Sequence, residues 1–154
     1  MYLRALIAFL ALPGVVAGLV PAVLVYLDAG RSGGWPFGFA LLGLGLVLLL
    51  WCVRDFFVSG RGTLAPWDPP KHLVVVGLYR FVRNPMYIAV LTIIAGWSLA
   101  AGSHWIAWYG ALLAIAFHLR VILHEEPWLR RQFGAEWAAY SASVARWLPR
   151  FRPL

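Results

Sequence analysis

The stretch that decides the fold is KHLVVVGLYRFVRNPMY, Lys71 to Tyr87, in which polar and basic residues run directly into a long uncharged segment. Asn84 is a favourable helix N-cap and Pro85 suits the first helical position, so a helix is expected to begin here. Basic residues beside an apolar helix also mark the cytoplasmic edge of a membrane span. The stretch therefore predicts a polar site at a membrane surface.

The composition of the chain is typical of a membrane protein. Of its 154 residues 62% are hydrophobic, nine are Trp and only six are acidic. The formal net charge is +7, but the basic residues are scattered between apolar runs. This argues against a nucleic-acid surface and favours membrane lipids, anionic headgroups or an anionic ligand group as partners. Cys52 is the single cysteine, so neither an intrachain disulfide nor a cysteine-based metal site is expected.

Uncharged runs predict an all-α polytopic membrane protein, one domain over residues 1–154, with four transmembrane helices. Residues 5–27 and 35–53 give the first two, within an N-terminal region of residues 1–54, although a cleaved signal peptide is the alternative for the first run. Between Arg83 and Arg120 no residue is charged, and a single helix of that length, about 54 Å, would overshoot the bilayer. We therefore expect a reversal at 102–104, with His104 in the turn, and a hairpin of spans 85–101 and 105–123.

The distribution of Lys and Arg predicts the orientation of these spans. With both termini inside, the outer face holds only Arg31 and the inner face holds the other twelve basic residues. Residues 71–87 and the polar tail then share the cytoplasmic face. The tail is predicted as two amphipathic helical pieces, 127–133 and 135–146, separated at Gly134.

Two motifs carry a resemblance to a known family. The first, Gly77 to Tyr87, has the form Gly-x-Tyr-Arg-x-x-Arg-Asn-Pro-x-Tyr. The second, Glu125 to Tyr140, has the form Glu-Glu-x-x-Leu-x-x-x-Phe-Gly-x-Glu-Trp-x-x-Tyr and is followed by Pro149. In this order, about forty residues apart, they resemble the isoprenylcysteine carboxyl methyltransferase and phospholipid methyltransferase group of integral membrane enzymes. The resemblance covers residues 71–149, which it makes the catalytic region.

The resemblance implies methyl transfer from S-adenosylmethionine, bound at the cytoplasmic face, to a lipophilic or amphipathic acceptor. The positions that it assigns to cofactor binding are Lys71, His72, Leu73, Val74, Tyr79, Asn84, Pro85, Met86, Tyr87 and Glu125. The candidate catalytic residues are Arg83, Arg120 and Glu126. Asn84 stands where the family most often has histidine, and the family's substrate-contacting arginine would fall at Val121, one residue from Arg120.

The chemistry of these residue types agrees with that interpretation. Methyl transfer from a sulfonium requires in-line positioning and a dry pocket rather than acid or base machinery. A cationic cofactor with an amino-acid tail requires carboxylate and aromatic neighbours, and arginine for its own carboxylate. The sequence has no Ser/His/Asp set and no paired-histidine zinc motif. The acceptor stays open between a carboxylate, an amine and a thiol, and His118 could reach the site or bond a neighbouring helix.

Two other functions remain open on sequence. One is an NADPH-dependent membrane reductase of the steroid-reductase type, which also places basic and aromatic residues beside short spans. The other is a small membrane scaffold without a cofactor. The acid pair followed by Phe133-Gly134 and Glu136-Trp137 favours the methyltransferase.

Overall fold

The computed structural model describes residues 10–31, 33–60 and 71–149, and over these ranges the protein is all-helical. Helix α1 has a π-helical portion, Leu10–Leu19, and an α-helical portion, Val20–Leu27; α2 is Phe37–Gly60, α3 is Pro85–Ala101, α4 is His104–Arg120 and α5 is Glu126–Ser143. A 3-10 turn, Gly77–Arg80, precedes α3, and a π-helical turn, Val121–Glu125, joins α4 to α5. Residues 61–70 lie outside the described residues.

Within the described part of the chain, two helical stretches are long and apolar enough to cross a membrane. They are Phe37–Ser59, with 23 residues, and His104–Ser143, with 40. Pro13–Leu27 and Pro85–Ala101 are apolar but shorter. Large apolar side chains such as Trp108 are exposed along these helices, as expected where lipid covers the surface. These features indicate a membrane protein.

The core lies where α1, α2, α3 and α4 meet. Its buried side chains are Ala17, Leu49, Ala89, Val90, Ile93, Ile94 and Ile106. Trp97 of α3 donates a hydrogen bond to the Ala17 carbonyl at 3.0 Å, and Tyr109 of α4 donates one to the Val16 carbonyl at 2.9 Å. Each bond satisfies an aromatic N–H or O–H in an otherwise apolar interior, and together they tie α1 to the hairpin.

The predicted hairpin of α3 and α4 is present and reverses at Gly102–Ser103. Ser103 donates a hydrogen bond to the Asp28 carboxylate, and Trp35 N donates to the Leu99 carbonyl at 2.8 Å. Both turns therefore lie at one end of the bundle. His104 is the first residue of α4 rather than a turn residue, because the extended Ser103 already completes the reversal.

The last helices differ from the prediction in one respect. The helix that begins at His104 does not end at Leu123, because the π-helical turn Val121–Glu125 carries it into α5 without a break. The predicted division at Gly134 is confirmed: its φ is 48° and its ψ is −116°, which a side chain would resist. After Ser143 the chain is extended, and α5 is shorter than predicted because Ala145 pairs with Val82 in a parallel bridge.

Candidate active site

A cavity of about 880 Å³ lies at the end of the bundle opposite the Gly102–Ser103 turn. Its volume is within the range of small-molecule sites. The predicted site residues that line it are Leu73, Val74, Tyr79, Arg83, Asn84, Met86, Tyr87, Arg120, Glu125 and Glu126. Lys71 and His72 are exposed and outside the lining, and Pro85 is buried at the start of α3. The two sequence motifs therefore meet in one cavity.

The first polar contact between the motifs joins Tyr87 to Glu125. The Tyr87 hydroxyl donates a short hydrogen bond to Glu125 Oε1, and Arg120 Nε donates to the same oxygen at 2.8 Å. Arg120 Nε also lies 3.2 Å from the Tyr87 oxygen. Arg120 thus faces the site although it is one residue away from the position that the family pattern predicts.

The second contact is built around Glu126. Arg83 Nη1 lies 3.1 Å from Glu126 Oε1, and Arg146 donates from Nε to Oε1 at 2.7 Å and from Nη2 to Oε2 at 2.8 Å. The two carboxylates of the acid pair therefore have different arginines. Arg146 was missed in the sequence because an arginine in a basic tail looks like a residue that only marks the inner membrane face.

Arg83 has donor capacity left after it pairs with Glu126. Its Nε is buried and has no hydrogen-bond partner within residues 10–31, 33–60 and 71–149. Its guanidinium lies over the Trp137 ring, 5.6 Å from the centroid. Burial lowers the pKa of Arg83 from its usual value, but a guanidinium stays charged at neutral pH. Arg83 therefore brings a cationic guanidinium with an unpartnered N–H group to the wall of the cavity.

The segment after α5 is bonded to the residues at the start of α3. Arg83 N donates to the Ala145 carbonyl at 2.9 Å, and the Asn84 side chain donates to the Arg146 carbonyl at 3.1 Å. Asn84 stands at the N-cap position of α3 but makes no capping hydrogen bond with its side chain. The amide therefore anchors residues 144–147, which we call the C-terminal strap, instead of capping the helix.

Tyr79 is held from two sides at the base of the cavity. Its ring packs in a buried cluster with Cys52 of α2 and with Val74. The Tyr140 hydroxyl of α5 donates to the Tyr79 carbonyl at 2.7 Å. Burial raises the pKa of Tyr79 well above its usual value, so the phenol is neutral. Tyr79 is a fixed part of the cavity wall that connects α2 to α5.

The apolar side of α5 packs inward. Trp137, Tyr140 and Val144 form a buried cluster to which Leu73 contributes from the segment just before the first motif. His118 accepts a hydrogen bond at Nδ1 from Trp147 Nε1 of the strap, at 3.1 Å. Of the two alternatives for His118, the structure therefore shows a bond to a neighbouring segment.

Comparison with known proteins agrees with the motifs. The sequence model of the phospholipid methyltransferase family matches residues 35–136, more than half of the chain. The chain belongs to the phospholipid methyltransferase family. A protein of Haemophilus influenzae described only as uncharacterized is 36% identical over 64 residues, which is 41% of this chain and 100% of that protein. No solved structure matches.

Membership of the phospholipid methyltransferase family confirms the resemblance found in the two motifs. The matched range contains α2, the first motif, the hairpin and the acid pair, and so most of the cavity lining. It ends at Glu136, before Tyr140 and the C-terminal strap. The family and the apolar helices together indicate a membrane methyltransferase.

Proposed function

We propose that the protein is an S-adenosylmethionine-dependent integral membrane methyltransferase of the isoprenylcysteine carboxyl methyltransferase-like type. Its acceptor is a lipophilic or amphipathic small molecule or lipid. The observation that carries the proposal is the meeting of both motifs in one cavity, through Tyr87 with Glu125 and Arg83 with Glu126.

The residues present fit the cofactor. The guanidinium of Arg83 lies in the cavity lining and is a cationic donor for an amino-acid carboxylate. Aromatic rings at Tyr87 and Trp137 lie in the lining and suit a sulfonium. When bound, S-adenosylmethionine supplies a methyl group on a positively charged sulfur. Leu73, Val74 and Tyr79 would form the apolar wall of its site, whereas Lys71 and His72, being exposed, would contact it only at the cavity edge.

The cavity also supports a lipophilic acceptor. Its lining includes Pro13 and Val16 of α1, Val90 of α3 and Phe117 of α4, all from apolar helices. An acceptor with an apolar chain would lie along these residues and place its polar end near the arginines. We infer that it enters from the bilayer, because its apolar part is then never exposed to water.

The charges at the polar end favour an anionic acceptor over an ammonium. Glu125 already binds Arg120 and Tyr87, and Glu126 already binds Arg83 and Arg146. An ammonium would have to lose a proton before methylation and would meet two carboxylates that are both paired. A carboxylate would react as the anion with the methyl group that the cofactor supplies, and no proton would have to be removed first. A carboxylate acceptor therefore agrees best with the site.

We further propose that α1 to α4 are the four transmembrane helices and that α5 lies on the cytoplasmic face. The two turns near Arg31 and His104 lie at the end opposite the cavity. The cavity end carries most of the basic residues, which the positive-inside rule assigns to the cytoplasm.

Titration calorimetry of detergent-purified protein tests the proposal. S-adenosylhomocysteine, the product form of the cofactor, should bind, and NADPH should not. Glu136 belongs to the second motif but is exposed, so Glu136→Gln should bind S-adenosylhomocysteine as the wild type does. Binding of NADPH with no binding of S-adenosylhomocysteine would establish a reductase instead. Binding of neither would leave a scaffold without a cofactor as the better description.

A further inference from the structure

Asp55 is a buried carboxylate that neither motif contains. It lies near the end of α2, and its side chain is only 8% exposed. Arg54 Nη1 lies 3.3 Å from Asp55 Oδ1, but Arg54 is 74% exposed, so this pair is solvent-screened. Asp55 Oδ2 is buried and has no hydrogen-bond partner among the residues that the structure describes. A carboxylate buried at the edge of a membrane span is costly and indicates a role.

The Asp55 carboxylate contacts the turn that begins at Gly77. A Cβ atom built on Gly77 would lie 1.9 Å from Asp55 Oδ2 and 3.0 Å from Trp51 Nε1. Gly77 also has a φ of 54°, which disfavours any side chain. Glycine is therefore the residue that fits this turn, because Asp55 and Trp51 occupy the space where a side chain would lie.

This turn determines where Tyr79 lies. Tyr79 N donates to the Val76 carbonyl at 3.0 Å and closes the turn, and the next residues form the 3-10 segment. One turn before Asp55 on α2, Cys52 is fully buried against Tyr79 and Val74. Asp55 and Cys52 therefore present one face of α2 to the wall of the cavity.

We propose that Asp55 is a positioning residue of the cofactor pocket. Its carboxylate packs against Gly77 and holds the turn so that Tyr79 and Val74 form the cavity wall. Asp55 does not touch the ligand; it acts through the backbone of the turn. The role of Asp55 in the cofactor pocket rests on the proposed function, whereas its contact with Gly77 is independent of that function.

This role depends on the shape of the Asp55 side chain and not on its charge. Two substitutions at Asp55 distinguish the effect of shape from the effect of charge. Asp55→Asn keeps the planar group beside Gly77, so affinity for S-adenosylhomocysteine should stay within about threefold of the wild type. Asp55→Ala leaves a gap, so affinity should fall by about tenfold, as expected when a wall residue is displaced. The control is Asp28→Ala, which removes a carboxylate bonded to Ser103 at the opposite end and should leave affinity unchanged.

A second readout does not depend on the cofactor. A fluorotyrosine at position 79 reports the surroundings of that ring by ¹⁹F NMR, and its resonance should move in Asp55→Ala but not in Asp28→Ala. Gly77→Ala should weaken binding and move the same resonance, because the new methyl group meets Asp55. This variant decides the question if Asp55→Ala is not monodisperse in detergent.

The outcomes are distinct. Normal affinity in Asp55→Ala, or in Gly77→Ala, would overturn the proposal. An equal loss in Asp55→Asn and Asp55→Ala would also overturn it, since the effect would then come from charge rather than packing. If the wild type does not bind S-adenosylhomocysteine, the proposed function fails. The ¹⁹F shift then supports or overturns the positioning of Tyr79 by itself.

Discussion

Arg146 binds Glu126 through two parallel hydrogen bonds, of 2.7 and 2.8 Å, across 20 residues of sequence. Arg83 approaches the same carboxylate at 3.1 Å, so an arginine from the strap and an arginine from the first motif share one acid. The Glu126 side chain is only 14% exposed. Removal of a partner would leave a buried carboxylate charge without full compensation, which lowers the stability of the folded protein.

Arg146→Ala should lower the free energy of unfolding by about 1–3 kcal/mol, because it leaves Glu126 with one cation and removes the ion pair between the strap and α5. Arg146→Lys should recover only a fraction of the loss, since lysine cannot form the two-point contact. Thermal unfolding in detergent measures both. Arg130→Ala, an exposed arginine on α5, is the control. A melting temperature for Arg146→Ala equal to that of the control would show that the ion pair contributes nothing.

Glu125→Gln should weaken S-adenosylhomocysteine binding by at least tenfold, roughly 1.4 kcal/mol, and leave the protein monodisperse. The amide keeps the size of the side chain but removes the negative charge that accepts the hydrogen bonds of Tyr87 and Arg120. Calorimetry gives the affinity, and Glu136→Gln is the exposed control. Unchanged binding would mean that Glu125 is structural and stabilises the start of α5.

Two double-mutant cycles should show how Arg83 is coupled to Glu126 and to Glu125 in ligand binding. Arg83→Ala and Glu126→Gln should be strongly non-additive in S-adenosylhomocysteine affinity, because these residues are in contact. Arg83→Ala and Glu125→Gln should also cost less together than the sum of the singles if both side chains line one ligand site. Additivity within about 0.5 kcal/mol for both pairs would count against a shared site.

The Tyr140 hydroxyl should stabilise the cavity wall through the Tyr79 carbonyl. Tyr140→Phe removes this buried hydrogen bond of 2.7 Å and leaves the carbonyl unpaired, which should cost about 1–3 kcal/mol. Thermal unfolding in detergent measures the loss. Tyr26→Phe, at an exposed tyrosine of α1, should have no effect, and an equal effect of the two substitutions would refute the assignment.

The orientation can be tested by cysteine labelling in intact cells. Single cysteines at Arg31 and His104 should react with a membrane-impermeant maleimide, whereas cysteines at Lys71 and Arg130 should not. The native Cys52 is fully buried and should give little background. The reverse labelling pattern would contradict the proposed topology.

Structural features that depend on residues close together in the sequence could be predicted. The hairpin followed from a charge-free run too long for one helix, and the break at Gly134 followed from a glycine between two amphipathic pieces. The meeting of Tyr87 with Glu125 followed from the hairpin, which brings the start of α3 and the end of α4 to the same face.

Features that depend on distant contacts could not be predicted. Asn84 has the local preference of an N-cap, yet its side chain bonds a carbonyl 62 residues away. Asp55 follows Arg54 at the end of an apolar run and looks like a solvated boundary, although it is buried. Asp55 is buried by the turn at Gly77, which is distant in sequence, so the residues next to Asp55 do not indicate its burial.

The C-terminal strap has a consequence for biosynthesis. Residues 144–147 leave the ribosome after all four apolar helices, yet they supply bonds to Arg83 and Asn84 of the first motif. Insertion of α1 to α4 into the membrane can thus be complete while the bonds from the strap to Arg83 and Asn84 are still missing. A nascent chain that stalls before Val144 would be inserted without the carbonyl acceptors of the Arg83 N–H and the Asn84 amide.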